Sequence, residues 1–254
     1  MYNLFKYLEK KEGKLISIAN LIKMYDKENL NINLVKEVRE LIDKGVNPNN
    51  DAIRKASYNG HSEVVELLLQ DDRVDPSSNN NSAIIRASMD GHSEVVKLLL
   101  QDDRVDPSVM NNYAIKYASS EGHSEVVELL LQDDRVDPTY FNNFAIRYAS
   151  RNGHIEVVKL LLEDKRVDPS DEDNYAIRYA SEYGHLDVVK LLLQDDRVDP
   201  SDRDNYAIRF ASVNGHLEVA KLLLQDDRVK DSLTREEYLK YKSKIWYIIY
   251  VQFI

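Results

Sequence analysis

The stretch Tyr175-Ala-Ile-Arg-Tyr-Ala-Ser-Glu-Tyr-Gly-His-Leu-Asp-Val-Val-Lys-Leu-Leu-Leu193 decides the fold, because versions of it recur throughout the chain. Its Gly-His pair occurs six times at a constant interval of 31 residues, at Gly60, Gly91, Gly122, Gly153, Gly184 and Gly215. All 6 histidines and all 6 prolines of the chain occupy equivalent places in these repeats. A fixed period in this range is typical of stacked repeat units, so the 254 residues predict one elongated solenoid rather than globular domains.

Each repeat carries the signals for two short helices. In the last repeat, Asn205 precedes a first helical segment, residues 206–212, and Gly215 permits the left-handed backbone that ends it. Residues 218–224 form a second apolar segment that starts with an acid, where the helix dipole favours one. In the other repeats the chain then turns at Val-x-Asp-Pro, and a projecting polar loop is expected before the next repeat. An asparagine N-cap is expected for every first helix, at Asn50, Asn81, Asn112, Asn143, Asn174 and Asn205.

These residues resemble the ankyrin repeat. Residues 175–193 follow the family's pattern of TPLHxAA, two variable residues, GH and xEVVKLLL, with Tyr-Ala-Ile-Arg in place of its first four residues. The resemblance covers residues 33–229, with a period of 31 rather than the family's usual 33. It implies an all-α ankyrin-repeat solenoid of helix-turn-helix-loop units with helical caps. It also implies a non-catalytic scaffold that binds a partner protein on the concave face formed by its loops and first helices.

Composition adds a second resemblance. Abundant asparagine, lysine, isoleucine and tyrosine are similar to the ankyrin arrays encoded by giant DNA viruses of amoebae, which predicts a viral protein in the host cytoplasm. Poxvirus ankyrin proteins are a similar class that often ends in a degenerate F-box, but the C-terminal residues here show no convincing match to it.

Three segments are predicted. Residues 1–32 form an N-terminal helical cap or leader, in which Leu15, Ile18, Ala19 and Ile22 have helical spacing. Residues 33–229 form the array, a degenerate half unit at 33–48 followed by six units. Residues 230–254 form a C-terminal cap, with a capping box from Thr234 to Glu237. Its apolar end, residues 245–254, is expected to pack on the last repeat, with a partner-docking or membrane-surface role as alternatives.

Composition also argues against several classes of function. A net charge of -10 disfavours a nucleic-acid-binding surface. The absence of cysteine removes disulfides, thiol catalysis and thiolate metal sites. No signal peptide or membrane span is predicted, since the longest apolar run is only residues 245–251. The sequence has no nucleotide-binding loop or nucleophile motif, so we expect neither an enzyme nor a cofactor.

Three columns of residues recur with the repeat. The histidines are predicted to be structural, because neighbouring helices lie too far apart for two of them to share a metal ion. A basic column is predicted to pair with the aspartates of the Val-Asp-Pro turns, with an anion-binding strip as the alternative; it comprises Arg54, Lys116, Arg147, Arg178 and Arg209. An aromatic column is predicted to pack between repeats rather than stack on nucleic acid; it comprises Tyr117, Tyr148, Tyr179 and Phe210.

The positions that differ between repeats are expected to specify the partner. Large apolar residues precede the asparagine in two central loops, namely Val109 and Met110 and then Tyr140 and Phe141. Exposed apolar and aromatic residues beside charge are typical of protein interfaces, so these four are predicted to form a hot spot. The alternative is that they fold back onto neighbouring loops. The remaining candidates are the acids Asp171, Glu172 and Asp202, which would select a basic region of the partner, and Met89, Arg151 and Tyr183 near the Gly-His pairs.

Three functions follow from these patterns. A protein-binding module, monomeric and without nucleic acid, is favoured. A substrate-recognition adaptor would use the array to hold a target and the C-terminal residues to recruit ubiquitin-ligase or other machinery. A structural spacer would self-assemble.

Overall fold

The fold is all-helical wherever the chain is described. A computed structural model describes residues 17–28 and 34–252, and the side chains of 17–25 and 34–245. Within those residues there are 16 helices and no strand. In chain order they are α1 Ile18–Glu28, α2 Leu34–Asp43, α3 Asn50–Tyr58, α4 Ser62–Leu69, α5 Ser78–Met89, α6 Ser93–Leu100, α7 Val109–Glu121, α8 Ser124–Leu131, α9 Tyr140–Asn152, α10 Ile155–Glu163, α11 Asp171–Glu182, α12 Leu186–Leu192, α13 Asp202–Val213, α14 Leu217–Leu223, α15 Asp227–Ser232 and α16 Arg235–Gln252.

The helices form two compact units. The first contains the described residues up to 114 together with 132–136, and the second contains 115–131 and the described residues from 137. In the first unit α3 packs on α1 and α5, while α4 packs on α2 and α6. In the second unit α11 packs on α9 and α13, and α8, α10, α12 and α14 pack in succession. First helices therefore stack on first helices and second helices on second helices, as the repeat pattern requires.

The core is built from the same positions in every repeat. Each first helix contributes two alanines and an isoleucine, each second helix two small aliphatic residues and a leucine, and the turn after it one valine. In the repeat that starts with α11, all of these side chains are almost completely buried: Ala176, Ile177, Ala180, Val188, Val189, Leu192 and Val198. Burying one valine, leucine or isoleucine contributes about 1.5–3 kcal/mol, and this requires a neighbouring helix pair.

The Gly-His pairs link consecutive repeats. Gly153 ends α9 in the left-handed conformation (φ 81°), and a Cβ atom there would lie 2.5 Å from the His185 ring. The Nε2 atom of His185 is 2.9 Å from the carbonyl oxygen of Arg151 in the preceding repeat. His92 and His154 make the same contact with the carbonyls of Tyr58 and Ser120. The ring nitrogen that faces the carbonyl carries the proton, so these histidines have the structural role predicted for them.

The predicted asparagine N-caps are wrong for the later repeats. The N-cap of α11 is Ser170, and Asn174 lies in a left-handed turn at the start of the helix. The side-chain oxygen of Asn174 accepts a hydrogen bond from the backbone N–H of Asp199, 25 residues later, at 2.7 Å. Asn143 does the same with Asp168. The buried asparagine therefore connects the start of the first helix to the turn after the second helix. In the first repeat the cap is Asn49, whose side chain accepts from the amide of Ala52.

A left-handed turn replaces the open loop expected between repeats. Three consecutive residues have positive φ, between 51° and 67°, in the turns at 79–81, 110–112, 141–143, 172–174 and 203–205. This conformation costs most L-residues roughly 1–2 kcal/mol each and costs asparagine and aspartate less. The second and third positions of all five turns are asparagine or aspartate, which explains how the sequence tolerates them. Only the first position varies freely, and it includes Met110 and Phe141.

A second link between repeats lies in the Asp-x-Arg-Val-Asp-Pro turns. Arg197 donates to both carboxylate oxygens of Asp195, at 2.9 and 2.7 Å, and its Nη1 donates to the carbonyl of Val167 in the preceding repeat. Arg104, Arg135 and Arg228 make equivalent bonds to Val74, Val105 and Val198. The sequence pattern signals this link, since Asp-x-Arg-Val recurs in each repeat, but its role was not predicted.

The ends of the array contain partly described segments. Ile18, Ala19 and Ile22 are buried in α1, whereas Leu15 lies outside the described residues. The capping box predicted before α16 is confirmed, because Thr234 Oγ1 accepts from the Glu237 amide and Glu237 accepts from the Thr234 amide.

The C-terminal helix packs on α13 and α14 of the second unit. Ile245 is buried, while the side chains of residues 246–254, most of the predicted apolar end, lie outside the description. No helix in the described part of the chain combines the length and apolar character needed to cross a bilayer. The three predicted segment boundaries stay a prediction.

Candidate functional site

The aromatic residues predicted to contact a partner are exposed. Phe141 is 63% exposed, Met110 47%, Tyr183 46% and Tyr140 36%. Val109 is half-buried, as are Met89 and Arg151. The alternative, that the large loop residues fold back and become buried, therefore does not apply to these four exposed side chains. Met89, Val109 and Met110 belong to the first unit, and Tyr140, Phe141, Arg151 and Tyr183 to the second.

The acidic candidates are already used within the second unit. Asp171 accepts from the side-chain amide of Asn143 at 2.9 Å, and Asp202 accepts from that of Asn174 at the same distance. Glu172 accepts from Asn142. These bonds connect each left-handed turn to the next one, so much of the capacity of these acids is consumed inside the protein.

A strip of stacked rings runs along the first helices of the second unit. Within a helix the ring centroids are 3.9 to 4.1 Å apart, and between neighbouring helices they are 5.8 to 5.9 Å apart. The aromatic strip consists of Phe144, Tyr148, Tyr175, Tyr179, Tyr206 and Phe210. The predicted packing of Tyr148, Tyr179 and Phe210 between repeats is confirmed.

The other half of the strip was missed. Phe144, Tyr175 and Tyr206 each follow the buried asparagine directly and stack on the ring four residues later. The signal was present in the sequence, because an aromatic residue follows that asparagine in four successive repeats.

The basic column packs against this strip rather than on the predicted aspartates. The guanidinium of Arg178 lies 5.6 Å from the Tyr179 ring and 5.0 Å from the Tyr206 ring. Its Nε donates to the backbone carbonyl of Asp173, and its Nη2 donates to that of Glu172.

Arg147, which is only 7% exposed, likewise donates to the carbonyl of Phe141 and lies over Tyr175. The aspartates of the Val-Asp-Pro turns instead accept from the serine or threonine two residues later, as Asp168 does from Ser170. Their predicted pairing with Arg147 and Arg178 is therefore wrong, because the left-handed turn brings its own carbonyls closer to these arginines.

Burial keeps the hydroxyls of the strip neutral. Burial, followed by the charge of neighbouring Tyr148, raises the pKa of Tyr175 to about 12. Burial and the hydrogen bond to Glu182 raise the pKa of Tyr206 further above its ordinary value. Burial lowers the pKa of Lys116, whose Nζ lies 4.7 Å from the Phe144 ring. The strip therefore presents neutral rings beside cations at physiological pH.

Nothing in the described residues gathers three or more histidine or acidic side chains into a metal-binding cluster. The histidines are separated by the repeat and engage backbone carbonyls. What the surface offers is exposed aromatic area and guanidinium groups, which suit recognition of another molecule.

Comparison with known proteins agrees with this architecture. A family model described as ankyrin repeats (3 copies) matches residues 27–111, 103–173 and 147–233. The crystal structure of EF0377, an ankyrin repeat protein, is similar with 29% sequence identity and a TM-score of 0.57, over 70% of this chain and 98% of that chain. No curated protein matches the chain significantly. Since the matched residues span most of the chain and coincide with its stacked helix pairs, the chain belongs to the ankyrin repeat family.

Proposed function

We propose that this protein is a binding module for another protein, and that the partner contacts the first-helix face of the second unit. Ankyrin repeats generally mediate protein–protein interaction, which gives the class of function. The observation that carries the proposed face is the exposure of Phe141, a large ring with nearly two thirds of its surface in water. Exposed aromatic rings beside cations are the residues that most often anchor protein interfaces.

The backbone at Phe141 supports this interpretation. Its φ of 57° is unfavourable for a phenylalanine, and asparagine occupies the same position in the turn at Asn79. The ring contributes little to the core, yet Lys116 lies 5.4 Å from its centroid and Phe144 lies 6.4 Å away. A strained, exposed aromatic residue adjoining a cation is better explained by a partner than by stability.

The test compares two variants by affinity capture and mass spectrometry from an extract of the source organism. The first carries Tyr140→Ser and Phe141→Ser in the second unit, and the other carries Val109→Ser and Met110→Ser in the first. A control carries Ile155→Ser and Leu239→Ser, which are 37% and 52% exposed on other helices. We expect the Tyr140 and Phe141 variant to lose a partner that the wild type and the control retain. Retention of the same partners by all three variants refutes the proposed face.

A second candidate is the adaptor in which the C-terminal residues recruit ubiquitin-ligase or other machinery. Leu239 on α16 favours it, since 52% of this side chain is exposed. Replacing Leu239 with serine then removes ligase components from the captured set while the target remains. If those components remain, or never appear, the adaptor function is wrong.

Other features of the partner and setting stay predictions. They are a basic region on the partner selected by Asp171, Glu172 and Asp202, a monomeric state without nucleic acid, and a viral origin with action in the host cytoplasm. Light scattering of the purified chain tests the monomer and, with it, the self-assembling spacer.

A further inference from the structure

The arginines of the aromatic strip stand out because they lack carboxylate partners. Arg147, Arg151, Arg178 and Arg209 form no ion pair with any carboxylate in the described part of the chain, although the protein carries 44 acidic residues. By contrast, every arginine of the Asp-x-Arg-Val turns binds the aspartate two residues before it. The same chain therefore pairs one arginine column and leaves the other unpaired.

The acids nearest these arginines are bound elsewhere. Glu237 lies close enough to Arg209 to interact electrostatically, but its carboxylate accepts from Thr234. Glu172 and Asp173 offer Arg178 only their backbone carbonyls, and the Asp173 carboxylate pairs with Arg203. The N–H groups at the edges of these guanidiniums are therefore available to a carboxylate from outside.

Stacking holds the guanidiniums in place. Arg151 lies 5.7 Å from the Tyr148 ring and 5.4 Å from the Tyr183 ring, and Arg209 lies 5.8 Å from the Phe210 ring. A guanidinium that rests on a ring keeps its N–H edge free, and this edge matches a carboxylate with two parallel hydrogen bonds. The rotamer entropy of these side chains is already reduced, which favours binding.

We propose, on the basis of the proposed protein-binding function, that the partner supplies an extended acidic segment whose carboxylates bind Arg178 and Arg209. These arginines lie on adjacent packed helices, whose axes are about 10 Å apart. Three residues of extended chain also span about 10 Å. The segment therefore carries aspartate or glutamate at every third position, and its side chains between the acids contact the rings.

The rings themselves argue against single-stranded nucleic acid. Bases bind such proteins by stacking on exposed ring faces. In the aromatic strip the rings are nearly parallel within each helix, at 14° to 24°, and about 4 Å apart, so neighbouring rings already cover those faces. The net charge of -10 also repels a polyphosphate chain, while a short acidic peptide with a few charges suffers less.

Fluorescence anisotropy with the intact protein tests the proposal. The probe is a fluorescein-labelled peptide of about fifteen residues with glutamate at every third position and alanine, serine or proline between, long enough to follow three repeats. The control peptide has the same composition with all its glutamates adjacent. We expect the spaced peptide to bind at least about 5-fold more tightly, because only its carboxylates match the repeat distance.

Variants of the protein locate the site. Arg209→Gln makes the cleaner variant, because Arg209 forms no hydrogen bond within the described residues; we expect it to weaken binding about 3-fold or more. Arg178→Gln with Arg209→Gln is expected to weaken binding at least about 10-fold. Lys159→Gln with Lys190→Gln removes the same charge from the second helices of the same unit and is expected to change binding less than about 2-fold. Thermal unfolding of each variant verifies that it is folded.

Three outcomes overturn the proposal. They are no binding of the spaced peptide, equal binding of the two peptides, and equal effects of the arginine and lysine variants. Tighter binding of poly-uridylate, weakened by Arg209→Gln, would instead identify a nucleic-acid site. None of these results touches the capture experiment with the Tyr140 and Phe141 variant, so a partner lost there would keep the binding module and discard only the acidic segment.

Discussion

A column of buried serines near the ends of the first helices makes a sharp prediction about stability. The hydroxyl oxygens of six equivalent serines are buried and have no hydrogen-bond partner within the described residues: Ser57, Ser88, Ser119, Ser150, Ser181 and Ser212. A hydroxyl without a partner in the core loses its hydrogen bonds to water on folding and gains nothing in return. Replacing such a serine with alanine should therefore stabilise the protein.

The magnitude follows from three contributions. Leaving a buried hydroxyl unpaired costs about 1–3 kcal/mol. Alanine is a better helix former than serine by about 0.5 kcal/mol. The contacts of the one lost oxygen atom oppose these gains by several contacts of about 0.1–0.2 kcal/mol each. We therefore expect Ser150→Ala and Ser181→Ala, both in the second unit, to stabilise by about 1 kcal/mol each and by about 2 kcal/mol together.

Urea unfolding followed by circular dichroism measures this change, and the fluorescence of Trp246 in α16 reports on the C-terminal end. With a slope of about 2 kcal/mol/M, each substitution shifts the midpoint upward by about 0.5 M, while the slope stays unchanged. Ser170→Ala is the matched control, because the Ser170 hydroxyl donates to Asp168 at 2.7 Å. The same substitution there is expected to destabilise by about 1 kcal/mol.

A lower midpoint for Ser150→Ala and Ser181→Ala would refute the reasoning. It would mean that these hydroxyls have a partner after all, such as the carbonyl four residues earlier in the same helix. An unchanged midpoint would mean that the packing lost with the oxygen equals the gain, and the hydroxyls would then be neutral fillers.

Four further predictions concern backbone and charge. Gly153→Ala should destabilise by at least about 2 kcal/mol in urea unfolding, since φ is 81° and the new Cβ meets the His185 ring, whereas Gly215→Ala, with nothing within 4 Å, should cost only about 1 kcal/mol; equal costs would contradict the ring contact. Met110→Asn should stabilise by about 0.5–1 kcal/mol, because φ is 51° there, and a loss of stability would contradict the strain. Burial lowers the pKa of His185, so its neutral ring is favoured in the folded state; stability is present above about pH 6.5 and lost on acidification, and His185→Gln should flatten the fall in Tm between about pH 7 and 5. Burial raises the pKa of Glu37, so stability falls as the pH rises above about 4.5, and Glu37→Gln should raise the Tm at pH 7 but not at about pH 4; the same gain at both would refute this.

The repeat architecture was predictable because it depends on periodic features that each need only local physics. Proline ends a helix, glycine adopts a left-handed conformation, and aliphatic residues recur on one face, so the pattern predicts two helices per repeat without tertiary information. The capping box at Thr234 was predictable for the same reason, since all of its bonds lie within four residues.

The partners of recurring polar residues were not predictable. An asparagine before a helix is usually a cap, and here Asn174 reaches an amide 25 residues away because three left-handed residues turn its side chain toward the next turn. The partner of Arg178 depended on the same turn, whose carbonyls lie closer than the expected aspartate. Sequence repetition identified both columns as structural elements, but only the geometry of the turn decided what they bind.

The links between repeats have a consequence for folding during synthesis. The histidine links join residues 34 apart and the arginine links join residues 30 apart, wherever they occur along the chain. The loop that must close for each link therefore stays the same length, and its entropic cost does not grow as repeats are added. A repeat can dock once about thirty further residues have emerged from the ribosome, so each unit is expected to assemble progressively from its N-terminal side as it is translated.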